Sequence, residues 1–520
     1  MNRAMSSEPV LGSVPVMRLL LALAIGVSFF MGLGAVPLFD LDEGAFTEAT
    51  REMLLRRDFI STWLNGVPRF DKPILIYWLQ AASVSLFGQS EWAFRLPSAL
   101  CASLWVLTVY AFMRKVRGDT AGLLAGAITA TAAGITVIGR AAIADALLNW
   151  LIVSAMASAW LYLTERRRLW LYLTFAAIGA GLLAKGPVAI LVPGAVTALY
   201  CLSRGEVKLW LRTVLDIRGI AVLIAIAAPW YILQYQRQGD AFIQGFFMKH
   251  NVSRFSAPMH GFDGSLFFYL PWLLVATLPF TAPLLKVLSR LKLVWADPLQ
   301  RFCFMWFGFV LVFFSLSGTK LPHYVFYGYS GLFMLMALHL PALRSRVWLL
   351  MAPAVFFAGC LLLPHILQWL APRIADPYYR EALGGVNQVL AWPFLMTAAA
   401  ALLITLGMMR LRRVPPAVAL IAAGVMQAGL IAQFILPAAG EAQQSPIREA
   451  ARIARDRPET IVMWGLDTPS FIVYSGRLVD KRTPRAGDTV LTKTKRLGTL
   501  PAHEVLFQKN GIALVQLKPD

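Results

Sequence analysis

This chain predicts a mainly α, polytopic membrane protein with about 13 transmembrane helices, interfacial helices on one membrane surface, and a small C-terminal α/β soluble domain. Three observations predict it. Hydrophobic residues make up 58% of the 520 positions and charged residues only 15%, a balance that soluble domains do not show. Apolar runs of bilayer-crossing length recur from the N-terminus to about residue 436. Beyond that point short β-like runs and turn residues take their place.

In order, the apolar runs fall near 16–38, 94–113, 120–138, 145–163, 170–185, 187–203, 219–236, 266–288, 302–318, 323–341, 347–370, 388–409 and 415–436. The first has no small-residue cleavage site and reads as an uncleaved signal-anchor. Between the runs, the basic clusters Arg114/Lys115/Arg117, Arg166–Arg168, Arg204/Lys208/Arg212/Arg218, Arg290/Lys292/Arg301, Arg344/Arg346 and Arg410/Arg412/Arg413 all fall on one side. By the positive-inside rule that side is the cytoplasm. The formal charge of +20 is therefore a topology marker, and nucleic acid is excluded as a partner. The N-terminus is expected in the cytoplasm and the C-terminal domain in the periplasm, across a bacterial inner membrane.

One run tests this map. Ile74–Phe87, at about 14 residues, is too short to cross a bilayer. It reads as an interfacial or re-entrant helix; if it crossed, every basic cluster downstream would change sides. The chain divides accordingly into a transmembrane catalytic domain, 1–436, with an outer loop at 39–93, and a periplasmic domain, 437–520. In the latter, Ser445-Pro446 opens a helix Ile447–Arg455, and strands are expected at Thr460–Trp464, Phe471–Tyr474, Thr489–Thr492, Glu504–Gln508 and Ile512–Leu517. The four cysteines each lie inside an apolar run and read as small buried hydrophobes. There is no internal repeat of the kind that marks many transporters.

The chemistry-bearing residues cluster on the outer side. Asp42 and Glu43 stand at the mouth of the first span, before a helix-like run Ala45–Arg57. Asp42 is either the cap of that helix or a carboxylate facing a cavity, where reduced dielectric and nearby bases suit it to activating an acceptor. Asp71-Lys72-Pro73 closes the same loop; Lys72 either snorkels to headgroups or holds the phosphate of a lipid-linked substrate. Asp145 is a cap, a partner of Arg140, or a second carboxylate for the same cavity. Lys185-Gly-Pro is a weaker signal, since lysine at a span end is ordinary. The loop Phe246–Asp263 carries two of the six histidines, His250 among them, with Lys249 and Arg254. Arg254 is suited to bidentate phosphate binding, and His250 with Asp71 gives two candidate metal ligands. Lys320 and Tyr324, in Gly318-Thr-Lys-Leu-Pro-His-Tyr324, can both reach an anionic headgroup.

At these residues the chain resembles the ArnT-like and protein-mannosyltransferase group of GT-C glycosyltransferases, which depend on polyprenyl phosphate. The resemblance runs through Asp42-Glu43 with Thr50–Leu54, Phe70-Asp-Lys-Pro73, Tyr77-Trp78, Arg95-Leu-Pro97, Asp145 and Lys320–Tyr324. It implies transfer of a sugar, such as 4-amino-4-deoxy-L-arabinose, from an undecaprenyl-phosphate-type donor to a periplasmic acceptor such as lipid A, another glycan or a protein, by a monomer among membrane lipids. It implies catalytic aspartates at Asp42, backed by Glu43, and at Asp145. Lys72, Arg254 and Tyr324, with Lys320, would hold the lipid phosphate, and a divalent metal (zinc) would sit near Asp71 and His250. The chain departs from the aminoarabinose pattern Asp-Glu-x-Arg-Tyr, with Ala45 and Phe46 in place of Arg and Tyr, and has Asp71 where that group commonly has Glu. The alternative function is a transporter or flippase of a lipid-linked sugar; it is disfavoured because the spans lack mid-membrane acids.

Overall fold

The computed structural model describes residues 13–253 and 265–519. Each predicted apolar run contains helix. Among the described residues, eight helices are long and apolar enough to cross a membrane, from Glu91–Arg117 to Pro416–Gln443, and the protein is a multi-pass membrane protein. The other five predicted spans are shorter, interrupted, or bounded by charge at both ends. The first is helical over Val14–Phe30 only. The run 120–138 breaks at Ala132, whose backbone is extended. The run 266–288 breaks between Tyr269–Ala276 and Thr281–Leu288, where Pro279 denies the helix a donor.

The loop parity expected from the arginines is visible in contacts. Arg18 and Arg114 both pair with Asp119, Lys115 with Glu165, Arg117 with Asp297 and Arg166 with Glu206. Arg346 donates to the carbonyls of Leu411 and Arg412. Loops separated by as many as 180 residues thus meet on one face. On the other face, which we call the site face, lie Glu91, Asp71 and the C-terminal sheet. The Leu75–Phe87 helix, of 13 residues, starts just after Asp71 and ends just before Glu91, so it returns to the face it left. At 1.5 Å per residue it is about 20 Å long, short of the ~30 Å hydrocarbon core.

The C-terminal sheet has four strands, in the order Ile461–Met463, Thr489–Lys493, Ile512–Leu517, His503–Lys509. The first pair is parallel and the others antiparallel. The expected strand Phe471–Tyr474 is instead part of a helix, Pro469–Ser475. Its apolar run is too short for periodicity to decide. Pro469 in the first turn and Gly476 at φ 70° after the last bracket a helix. That helix packs on the Asp42–Arg56 helix. The approach is close: a Cβ on Gly44 would meet the Ser470 backbone nitrogen at 2.5 Å, so only glycine fits there.

Candidate active site

The Asp42–Arg56 helix carries the first part of the site. It begins at Asp42 itself, with Leu41 in the capping position. Asp42 is therefore not the helix cap. Its carboxylate sits in the first turn, where the helix dipole favours negative charge. The residue is exposed and has no hydrogen-bond partner among the described residues. It lines a cavity of about 340 Å³ with Asp40, Arg140 and His323, over apolar walls that include Val137, Ile138 and Leu436.

Glu43, its neighbour, is fully engaged. Oε1 accepts from Arg95 Nε (2.8 Å) and the Ala142 N–H (2.6 Å); Oε2 accepts from Arg95 NH2 (2.6 Å) and the Phe39 N–H (2.9 Å). Burial alone would raise its pKa, but the Arg95 charge and these donors together hold the carboxyl below its usual value. Arg95 spends its remaining donors on the carbonyls of Leu33, Val36 and Pro37. Both oxygens of Glu43 thus carry two donors each, and the residue ties the 33–43 segment to the Glu91–Arg117 helix and the 139–144 loop.

Asp145 is neither the cap of its helix, a position Ala144 takes, nor the partner of Arg140. It is 3% exposed and accepts from Lys185 Nζ (2.7 Å) and the Tyr327 hydroxyl (2.9 Å), with His323 Nε2 3.9 Å away. The Lys185 ammonium lies 5.7 and 5.4 Å from the Tyr324 and Tyr327 ring centres, within cation–π range. His323 touches this network on one side and the Asp42 cavity on the other. Lys185, the weak signal of the sequence, is thus the main partner of Asp145; its Lys-Gly-Pro context marks a helix stop, with Gly186 at φ 84°.

Arg140 is 5% exposed. Its NH2 donates to the Met31 carbonyl (2.8 Å), while NH1 is buried with no partner among the described residues. Burial and the nearby Arg95 charge push its guanidinium down to about 10.

The third part is the loop before Leu75. His250 Nε2 lies 2.6 Å from Asp71 Oδ1, and Arg69 NH2 3.3 Å from Asp71 Oδ2. Burial raises the Asp71 pKa, but the His250 hydrogen bond and the Arg69 charge outweigh it and hold the carboxyl well below the usual range. Arg69 was not among the expected residues, yet it is 8% exposed and central. Its NH1 donates to the Ala45 carbonyl (3.0 Å) and the Tyr77 hydroxyl (2.8 Å), and its guanidinium stands 5.0 Å over the Phe46 ring. Phe46 in turn stacks on Tyr77 at 5.3 Å. A guanidinium thus meets the backbone at position 45, delivered from 24 residues further on. The sequence held one signal for this, a basic residue between Pro68 and Phe70 in an aromatic-rich loop.

Lys72 Nζ donates to the Asp71 carbonyl (3.1 Å). Lys320 is buried, its Nζ on the Ser317 carbonyl (2.8 Å), and Tyr324 is buried against Phe314. Arg254 lies outside the described residues. For a metal, Asp71 and His250 offer two donors, one short of the three protein ligands of a catalytic zinc. No group of three His, Cys, Asp or Glu suited to a metal occurs among the described residues, and Asp71 is already paired to a guanidinium.

A model of the dolichyl-phosphate-mannose-protein mannosyltransferase family matches residues 71–233. An uncharacterised protein of Aquifex aeolicus is 30% identical over 321 residues, 62% of this chain and 72% of that protein. The undecaprenyl phosphate-alpha-4-amino-4-deoxy-L-arabinose arabinosyl transferase 2 of Pseudomonas fluorescens is 30% identical over 315 residues, 59% of this chain and 53% of that protein. The chain thus spans about half the length of that curated relative. The crystal structure of ArnT from Cupriavidus metallidurans bound to undecaprenyl phosphate superposes with a TM-score of 0.80 at 22% identity, covering 98% of this chain and 100% of that one, which establishes the fold as GT-C. The chain thus shares the ArnT fold over nearly its whole length and is similar in sequence, over part of it, to the mannosyltransferase family and to an aminoarabinose transferase.

Proposed function

We propose that this protein transfers a sugar, 4-amino-4-deoxy-L-arabinose or a close relative, from an undecaprenyl-phosphate-type lipid to lipid A or a similar acceptor. It acts as a monomer at the periplasmic face of a bacterial inner membrane, with its N-terminus in the cytoplasm and its C-terminal domain in the periplasm. The observation that carries this reading is the contrast at Asp42-Glu43: one carboxylate anchored by Arg95, the next exposed and unpartnered at a cavity on the membrane edge. The named activity of the Pseudomonas relative and the lipid held by the Cupriavidus protein support the same donor class. The basic clusters on the opposite face support the orientation.

Transfer breaks the bond between the anomeric carbon and the phosphate oxygen, leaving the electron pair on the phosphate, and forms a bond from that carbon to an acceptor oxygen. Cations are needed at the departing phosphate. Lys72, Arg254, Lys320 and Tyr324 are assigned there. Asp145 orients Lys185 and His323 at the cavity edge. Asp42 faces the acceptor: with a hydroxyl acceptor it takes the proton, and with a phosphate acceptor, already anionic near neutral pH, it positions groups and balances charge. Among the described residues Asp71 and His250 give two donors, short of the three of a catalytic zinc, and no step is routed through a metal.

The test is mass spectrometry of envelope glycolipids from cells lacking the protein, complemented with wild type or with Asp42→Asn. The expected result is an added mass with wild type alone, while the variant accumulates normally in the membrane. An equal added mass from the variant overturns the role of Asp42. No glycolipid change in any strain overturns the glycolipid acceptor.

A further inference from the structure

A second cavity, of about 540 Å³, opens on the site face and is separated from the Asp42 cavity by the Leu38–Asp40 segment; Leu38 lines one, and Phe39 and Asp40 line the other. Four arginines line it: Arg51 from the Asp42–Arg56 helix, and Arg448, Arg452 and Arg455 from the Ser445–Arg455 helix. Their counter-charges fall short. Arg51 is paired with Glu48 (2.7 Å) and Arg448 reaches Glu91 at 3.5 Å. Arg455 is bound only to the Tyr474 carbonyl, and Arg452 has no ion pair among the described residues. The Nε of Arg448 is buried without an acceptor, a condition native proteins seldom leave unrelieved.

The setting says what the missing acceptor is attached to. One wall begins at Glu91, where a membrane-spanning helix starts; the other begins at Ser445, two residues after the last one ends at Gln443. Arg448 lies 3.5 Å from Glu91, the first residue of a membrane-spanning helix, which places it near headgroup depth. Flanking in sequence the Gln89–Glu91 turn that lines the cleft, Leu86, Phe87 and Trp92 are 76%, 58% and 37% exposed, apolar surface of the kind that acyl chains cover.

We propose that this cleft binds the phosphate of an anionic lipid in the leaflet on the site face, independently of the donor phosphate. A phosphate there accepts from Arg448 and Arg452 and draws the Ser445–Arg455 helix toward Arg51, on the helix that carries Asp42.

The test uses the full-length protein in neutral detergent and native mass spectrometry with phosphatidylglycerol or phosphatidylcholine. Wild type is expected to retain phosphatidylglycerol preferentially. Arg448→Gln with Arg452→Gln should lose that preference, about tenfold in affinity for each charge-assisted hydrogen bond removed, whereas Arg412→Gln with Arg413→Gln on the opposite face should keep it. Arg452→Gln alone, an exposed position, carries the test if the double variant does not accumulate. Equal retention of both lipids, equal loss in the opposite-face variant, or displacement of phosphatidylglycerol by millimolar inorganic phosphate overturns the proposal; the last outcome would mean a free-anion site.

Discussion

The candidate site and the opposite face use charge differently. Two ion pairs at the site are sealed: the Arg95 and Glu43 side chains are 5% and 4% exposed, and Lys185 and Asp145 10% and 4%. On the opposite face, the side chains pairing Arg18 with Asp119, Lys115 with Glu165 and Arg117 with Asp297 are between 29% and 53% exposed. Exposed pairs cost little to form and contribute about 0–1 kcal/mol, so they serve as topology markers that tolerate exchange. A sealed pair loses hydration on both partners and is stable only while its geometry is complete. Buried charge at the candidate site is therefore a mark of positioning, and it surrounds an acid that is itself exposed, Asp42.

The strongest way to break the comparison is Glu43→Gln. It leaves Arg95 buried without its counter-charge, and the expected loss is about 3–5 kcal/mol of stability. Membrane accumulation and thermal unfolding in detergent measure it; a melting point equal to wild type would show that the pair anchors nothing. Asp42→Asn, one residue away, should leave the same melting point untouched. Its effect is expected in turnover alone, on the order of 10²–10⁴-fold if the acceptor is a hydroxyl and far less if it is a phosphate. Activity against pH separates these cases, since only a hydroxyl acceptor makes the profile follow a carboxylate base.

How much of this was legible in the sequence follows the same divide. The spans, their parity and the returning Leu75–Phe87 helix were readable because apolar length and loop arginines are local properties. Asp42, Asp71, Asp145 and His250 stood out in the sequence because charges stood where a bilayer gives them no structural purpose. Their partners were not. Arg95 comes 52 residues after Glu43 and Lys185 40 residues after Asp145; which cation meets which acid is decided by helix packing. The same holds for Arg69, whose guanidinium reaches the Ala45 carbonyl through the fold. The strand expected at Phe471–Tyr474 failed for a local reason, the Pro469 and Gly476 that bracket a short helix.

A sharper test uses an acid whose proton reports burial. Asp40 accepts from the Ser470 N–H at 2.9 Å and from its hydroxyl, joining the segment before Asp42 to the C-terminal sheet domain. Burial pushes its carboxyl up from 3.8 to about 7 against the pull of the Ser470 hydrogen bonds. Between about pH 4 and about pH 7 the folded protein keeps a proton that the unfolded chain releases, so this group lowers stability as pH rises through that window and adds no further change above it. Glu48, pushed up to about 7 chiefly by burial, acts in the same direction. Asp40→Asn should remove one of the two contributions, flattening the fall by up to about 1.4 kcal/mol per pH unit. Melting points measured across the window check it, and an unchanged slope would mean that Asp40 is ionised in the folded protein.

The smallest effect belongs to the opposite face. Arg117 NH2 reaches both oxygens of Asp297 at 2.8 Å, where Asp145 meets Lys185 through one oxygen at 2.7 Å. If hydrogen-bond geometry alone decided the worth of a pair, Arg117→Gln would rival Glu43→Gln. Water decides otherwise: both partners are about one-third exposed, so the freed Asp297 is simply rehydrated. The expected loss is about 1 kcal/mol or less, fading further at high salt. A loss near that of Glu43→Gln would show that the Arg117 loop is held by this pair and not by the packing of the helices it joins.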